Sequence, residues 1–291
     1  MDDKRFFDEC IEELASIGRL DDGGYTRLGY SETENAMYNW LEHKSLNMGL
    51  VYESDSAGNL FICSEKNKNV KRYFLIGSHL DSAVDGGQFD GVAGVLVALL
   101  TVKKLMTENP ELPIKAAAFR CEESARFSQC SIGSGLFAEK LDKKTLLGLR
   151  DSSGISVCEA MDIMGFSPER KPEDPNSRQL LEYLELHIEQ GRVLEAANKQ
   201  IGVVTSIAGN RRYKMSIIGR ADHSGATPMS MRCDSLCAAA EIVLIVEQLG
   251  KQEAVHSSVA TTGGLTNYPN TMNTIPCCVE MKIDMRSNNE G

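Results

Sequence analysis

Three short apolar runs, each breaking off into a cluster of histidine or acid, constrain this chain more than any other feature. Tyr73-Phe74-Leu75-Ile76 leads into Gly77-Ser78-His79-Leu80-Asp81, Ile114 to Arg120 leads into Cys121-Glu122-Glu123, and Leu181 to His187 is followed by Glu189 and Gln190. The first two runs, largely free of polar alternation, predict strands covered on both faces, and Leu181 to His187, which carries Glu182 and Glu185, is read as a third buried strand. After a loop containing Gly86-Gly87, the stretch from about Gly91 to Leu105 has a helical pattern. Strand and helix therefore alternate, as in a doubly wound or mixed α/β sheet with helices on both faces, where chemistry collects at the strand ends.

The flanking sequence extends this frame. Phe6 to Ile17 and Glu32 to Met48 are amphipathic, the second preceded by Ser31 as N-cap. Tyr52 to Cys63 alternates around Gly58-Asn59 and predicts a hairpin. From about Asn210 the texture changes. Arg212 to Ile218 alternates as a strand, His223 to Pro228 is a glycine-containing turn, Arg232 to Leu249 is a long helix, and Val255–Thr262 and Cys278–Arg286 are strands. The expectation is two domains, 1–209 and 210–291, the second a two-layer α+β unit.

Only five histidines occur in the 291 residues, and three lie in glycine-rich or strand-end settings with acids nearby. His79 has Asp81 two residues on and Asp90 eleven residues on; His187 follows the third run. Neutral imidazole with carboxylate suits Zn²⁺ or Mn²⁺, and an acid can bridge two ions. If the second strand continues, Glu122 and Glu123 face opposite ways, so that one binds metal while the other takes a proton from water. Simpler roles compete for several residues. Asp81 could cap a turn, Glu189 suits a structural or supporting role, and His223 could be a solvated loop histidine. Gly86, Gly87, Gly91 and Gly94 resemble a phosphate loop only superficially, since they lack its lysine and bracket Asp90. His43 and His256 lie outside any constellation, Arg211-Arg212 suits a surface or subunit contact, and Met229 and Met231 suit packing.

The formal charge of −10 argues against a nucleic-acid or anionic-membrane surface. The longest apolar stretch, Val92 to Leu100, is too short to span a bilayer, and the charged start MDDKRFFDEC carries no apolar segment of a signal peptide. Nine scattered cysteines without a CxxC pair predict reduced thiols in a cytoplasmic protein.

Five ordered motifs then bring a specific resemblance. GSHLDSAVDGGQFDGVAGVLVALL (77–100) resembles the first signature of the M20 metallopeptidase superfamily, and FRCEESARFSQCSIGS (119–134) its paired-glutamate segment. LELHIEQGRVLE (184–195) resembles the hydantoinase/carbamoylase branch, and GRADHSGATPMSMRCDSL (219–236) with NTMNTIP and DMR (270–286) resembles that branch's lid or dimerisation domain. The resemblance implies a homodimeric amidohydrolase that releases ammonia from a ureido group on a small carboxylate, either an N-carbamoyl-L-amino acid or allantoate. It implies two divalent ions, zinc or manganese, held by His79, Asp90, Glu123 and His187, with Asp90 shared. It further implies Glu122 as general base, Asp81 orienting His79, and His223 stabilising the oxyanion in a partner's site. Arg286 would grip the substrate carboxylate, and Gln190 and Asn273 would meet its amide-like groups. The competing readings are a peptidase of the superfamily and an impaired homologue that dimerises or binds.

Some positions depart from the pattern. Ser124-Ala125 replaces the usual Gly-Ser, Arg192 the usual Pro, and Asp222 is an unusual acid expected to act on His223. The resemblance also implies one more histidine ligand beyond Arg286, whereas no histidine follows His256. The expectation from this is a weaker second metal site.

Overall fold

The expected alternation of strand and helix is present, in a computed structural model that describes residues 2–289. The chain forms two compact units, Met1–Val193 and Leu194–Gly291.

In the first unit, helices α1 (Asp3–Leu14) and α2 (Glu32–Asn47) precede the hairpin β1 (Val51–Ser54) and β2 (Leu60–Cys63). Then come β3 (Tyr73–His79), α3 (Val92–Glu108) and β4 (Ile114–Phe119), followed by short helices α4 (Ile132–Phe137), α5 (Lys143–Gly148) and α6 (Val157–Ile163), and by β5 (Leu180–Leu184). The strands form one mixed sheet in the order β1-β2-β4-β3-β5. β4 and β5 both run parallel to β3, whereas β2 is antiparallel to β1 and to β4. The parallel pair β3/β4 needs a crossover, which α3 supplies.

Alternation along the central strands decides which side chains meet which layer. Leu60, Ile62, Ile76, Ala116 and Ala118 join Phe6, Met37, Leu41, Val95, Leu96 and Leu99 of the first three helices in one core. Phe61, Tyr73, Leu75, Ala117 and Phe119 point the other way and pack with Phe137 of α4. Both faces of the central strands β3 and β4 are thus covered, which explains their apolar runs; β5, expected to be buried like them, is instead an edge strand that is largely exposed. The central alanines of β4 let helix and sheet approach closely. Short helices α4 to α6, which sequence patterning does not single out, surround a third cluster that includes Tyr30, Cys121, Phe127 and Met161.

A single helical turn α7 (Val193–Ala196) straddles the division between the units, and an exposed, irregular stretch opens the second. Strands β6 (Gly209–Ile218), β7 (Val259–Tyr268) and β8 (Cys278–Ser287) form an antiparallel sheet in the order β6-β8-β7. Helix α8 (Ser235–Glu253) starts at its N-cap Asp234, whose carboxylate accepts from the Leu236 and Cys237 amides. The expected start at Arg232 is therefore three residues early. Ala239 of α8 packs on Val279 and Met281 of β8, giving the expected two layers. The strand placed at 255–262 lies instead at 259–268, because α8 runs on to Glu253 and a 3₁₀ turn occupies 254–256.

Leu96 is fully buried between α3 and the sheet. Leu96→Ala removes packed methyls where the surroundings relax little, so we expect a loss of about 2–5 kcal/mol in unfolding free energy. Urea denaturation of the two proteins measures it.

Candidate metal centre

The carboxyl ends of β3 and β4 lie side by side because their register pairs His79 with Phe119. β3 delivers His79 at its last residue, and the chain turns immediately into Asp81. Gly91, in the left-handed region at φ 66°, closes the loop that returns to α3. A Cβ there would lie 2.5–2.6 Å from His79 atoms, so only glycine lets the loop pass behind the imidazole. Asp90, the residue before it, is thereby carried to the ring's other side.

Asp81 is fully buried. Its Oδ1 lies 3.4 Å from His79 Nδ1 and accepts the Glu122 amide at 3.0 Å, while Oδ2 accepts the Glu123 amide at 2.8 Å. Asp81 thus ties the imidazole of β3, whose Nδ1 lies 3.1 Å from the Asp81 carbonyl oxygen, to the turn after β4, whose amides its carboxylate accepts. The idea that Glu122 and Glu123 occupy alternate faces of a continuing strand does not hold. β4 ends at Phe119, and Cys121 is left-handed at φ 51°. The turn, held by Asp81, presents the pair instead.

His187 also sits differently from its expected place at a strand end. β5 stops at Leu184, and His187 follows in an irregular segment, fixed by its Nδ1 lying 2.9 Å from the Ile188 carbonyl oxygen. Its ring stacks on that of His79, with centroids 5.9 Å apart and planes at 27°. Nε2 of His187 lies 3.1 Å from Asp90 Oδ1, and Nε2 of His79 lies 4.0 Å from the same oxygen. Ligand-capable atoms of His79, Asp90 and His187 all fall within 4.8 Å of one another.

Asp90 Oδ1 is the atom that tests whether these residues suit a cation. It is buried and accepts no hydrogen bond of good geometry, despite its closeness to His187. A buried carboxylate oxygen without a donor is costly unless a cation serves it, so the donor set fits a divalent metal. The other oxygen, Oδ2, accepts from Gln190 Nε2 at 2.7 Å.

Glu122 Oε2 lies 3.8 Å from His79 Nε2, and its Oε1 accepts from the Ser131 hydroxyl at 3.2 Å. Glu123 is half-buried; burial raises its carboxyl above the usual range, helped by Glu122, Asp90 and Asp81 and opposed by His79. Burial works against charge on His79, yet Asp81, Glu122 and Asp90 outweigh it and push the imidazole up to about 9. Closeness to Asp90 raises His187 to about 9 and, reciprocally, lowers Asp90. Glu189 accepts the Val193 amide through Oε1 at 2.9 Å.

In the second unit, His223 is exposed and its Nδ1 accepts from the Gly225 amide at 3.1 Å. Asn273 adjoins it, since the Ser224 amide donates to the Asn273 carbonyl and the Ile275 amide to that of Asp222. The Asp222 carboxylate, expected to act on His223, pairs with Arg220 at 2.7 Å. Arg286 lies on β8 opposite Asn210, and its Nε donates to Asp284 at 3.0 Å; Arg212 donates to the same carboxylate at 3.1 Å.

Sequence reasoning passed over Ser131, Glu34 and Arg120. Ser131 carries no local signal. The Ser31-x-x-Glu34 spacing could suggest a capping box, but Glu34 bonds the Tyr30 and Cys121 amides instead.

With this geometry in hand, comparison with known proteins is informative. The pattern of peptidase family M20/M25/M40 matches residues 75–289. An N-carbamoyl-L-amino acid amidohydrolase of Geobacillus stearothermophilus is 40% identical over 280 residues, covering 95% of this chain and 68% of that protein. An allantoate amidohydrolase of Bacillus subtilis is 34% identical, covering 97% of this chain and 69% of its own length. The crystal structure of a hydantoinase/carbamoylase family amidase from Burkholderia multivorans superposes with a TM-score of 0.81 at 31% identity, covering 99% of this chain and 70% of that one.

A histidine whose folded pKa exceeds its unfolded value adds stability that is complete below the unfolded pKa and is lost as pH rises through the folded one. For His79 and His187 that window runs from 6.5 to about 9. A metal must displace the same protons. Affinity for Zn²⁺ should therefore climb across this window by about tenfold per pH unit for each proton released. Chelator-buffered titrations at several pH values measure this, and a flat profile would mean that both rings are already neutral.

Proposed function

This chain belongs to peptidase family M20/M25/M40, in its hydantoinase/carbamoylase branch, and from that premise we propose that it is a metal-dependent amidohydrolase of ureido-bearing carboxylates. The substrates are N-carbamoyl-L-amino acids or allantoate, the classes acted on by the relatives just named. Water and the terminal carbamoyl group yield the free amine, carbon dioxide and ammonia. The observation that carries this reading is the buried Asp90 oxygen that faces both His79 and His187 and accepts no hydrogen bond of good geometry from either.

His79, Asp90, Glu123 and His187 would hold two divalent ions, zinc or manganese, which when bound supply Lewis-acid activation of water and of the scissile carbonyl. Asp81 fixes the His79 ring from behind. Glu122, set by Ser131 and facing His79 at 3.8 Å, takes the proton of the attacking water and passes it to the departing nitrogen. His223 donates to the developing oxyanion, and Arg286 grips the substrate carboxylate with paired N–H groups. Asn273 and Gln190 hold the substrate's amide-like groups. Gln190 donates to Asp90 in the structure, so it must turn to do this.

The register of the small sheet supports a homodimer with shared sites. β6 pairs Ile218 with Cys278 at the end next to the His223 turn, and Asn210 with Arg286 at the other end. Cys278 and Arg286 are eight steps apart on one strand, about 26 Å at the usual rise. One small substrate cannot touch His223 and Arg286 of the same copy. Two copies, each lending one end of its sheet, resolve this, with 210–291 as the lid and dimerisation domain and 1–209 as the catalytic domain. Among the described residues no helix is long and apolar enough to cross a membrane. All nine cysteines are free thiols, which suits a cytoplasmic enzyme.

Ammonia release from N-carbamoyl-L-amino acids and from allantoate, with Zn²⁺ or Mn²⁺ added, is the direct assay. Glu122→Gln should retain metal and lose about 10²–10⁴-fold in kcat, because only the proton acceptor is removed; near-normal turnover would remove Glu122 from the mechanism. Mixing inactive His223→Ala and Glu122→Gln subunits should restore activity in hybrids. No recovery after demonstrated subunit exchange would count against the shared site.

A further inference from the structure

The turn after β4 that carries Glu122 and Glu123 is held by two buried carboxylates, and only one of them belongs to the metal centre. Three consecutive amides, of Cys121, Glu122 and Glu123, are each taken by a carboxylate oxygen. Asp81 accepts the last two. The first goes to Glu34 Oε1 at 2.8 Å, reaching in from the first turn of α2. Glu34 is fully buried. Its second oxygen accepts the Tyr30 amide at 2.7 Å and Arg120 Nη1 at 3.1 Å.

Arg120 is buried as well and is satisfied on every side. Its Nε donates to the Gly58 carbonyl at 2.9 Å, Nη2 to Asn35 Oδ1 at 3.0 Å, and its own amide to Asn59 Oδ1 at 2.9 Å. The guanidinium lies over the Tyr38 ring at 3.8 Å and the Phe166 ring at 4.5 Å. A buried charge pair with this many hydrogen bonds fixes geometry more than it adds stability. What it fixes is Cys121, a non-glycine residue in the left-handed region, a conformation that persists only where the surroundings impose it. Gly29 closes the remaining side, where a Cβ would come within 2.3 Å of the Cys121 sulfur.

We propose that Glu34, held by Arg120, is a positioning residue of the metal centre: by gripping the Cys121 amide it sets the angle at which Glu122 and Glu123 enter the site. Without it the Cys121 amide loses its acceptor, and the turn keeps Asp81 on the Glu122 and Glu123 amides and the Ser131 and Ile132 amides on the Glu122 and Cys121 carbonyls, so that its angle can shift about those remaining bonds. The inference rests on reading those two glutamates as base and ligand.

The test uses the full chain with Glu34→Ala and Glu34→Gln, each checked for its fold by near-ultraviolet circular dichroism. Gln keeps one oxygen for the Cys121 amide but cannot also accept from both Tyr30 and Arg120. Each variant is titrated with Zn²⁺ against a chelator of known affinity, and with Co²⁺, whose visible absorption reports ligand geometry. We expect Glu34→Ala to bind about 10–100-fold more weakly, Glu34→Gln to fall between it and the parent, and the Co²⁺ spectrum to change. Parent-like affinity and spectrum in a folded variant would overturn the proposal. So would a Glu34→Gln chain that does not fold, since that would make the residue structural. These readouts do not depend on hydrolysis. A parent chain that binds metal but releases no ammonia from either substrate class would sink the amidohydrolase reading and leave this comparison intact; one that binds neither ion would sink both.

Discussion

The first unit depends on one buried carboxylate. Asp81 stands where two parallel strands end side by side, and it joins them by accepting two amides from one while facing the imidazole of the other. Parallel strands place their carboxyl ends at the same edge, so the fold collects the residues that follow His79 and Phe119. Being collected does not aim them. Glu122 and Glu123 leave the sheet in a turn that contains a left-handed cysteine, and Asp81 converts that turn into a fixed position relative to His79. The Asp90 loop, passing behind the ring through Gly91, completes the enclosure from the other side.

The parts that could be read from sequence are those where a local pattern and the tertiary structure make the same demand. The runs at Tyr73 and Ile114 are unbroken because both sheet faces are covered, and α3 is apolar for the same reason. His79, Asp90, Glu122 and Glu123 were legible because polar, metal-suited residues break off from apolar strands. His187 was found by chemistry but misplaced, since the alternation of apolar letters continues past Leu184 through Leu186 and Ile188 while the sheet pairing does not. Glu34 was invisible: it lies in an ordinary helix start, and its partner amide is 87 residues away. The role of Asp222 was misread because adjacency to His223 in sequence does not decide which group its side chain reaches; Arg220, two residues back in the irregular chain after β6, takes it.

Asp81 and Glu34 grip neighbouring amides of one turn but differ in the cation each faces. Asp81 faces His79, whose charge is exchangeable, because a proton on that ring gives way when the ring binds a metal. Glu34 faces Arg120, whose guanidinium stays charged throughout the working range. Burial raises the Glu34 carboxyl, with the arginine pulling the other way. The two supports therefore respond to different variables. Contacts on the Asp81 side face a ring whose charge changes as protons and ions exchange at the centre, while those on the Glu34 side face the guanidinium, with Asp81 adding a smaller push on the Glu34 carboxyl. A turn that must keep a base and a ligand in register while the charge beside it changes needs one anchor outside that exchange. The Glu34–Arg120 pair is placed to be that anchor, being enclosed by aromatic rings and backbone carbonyls.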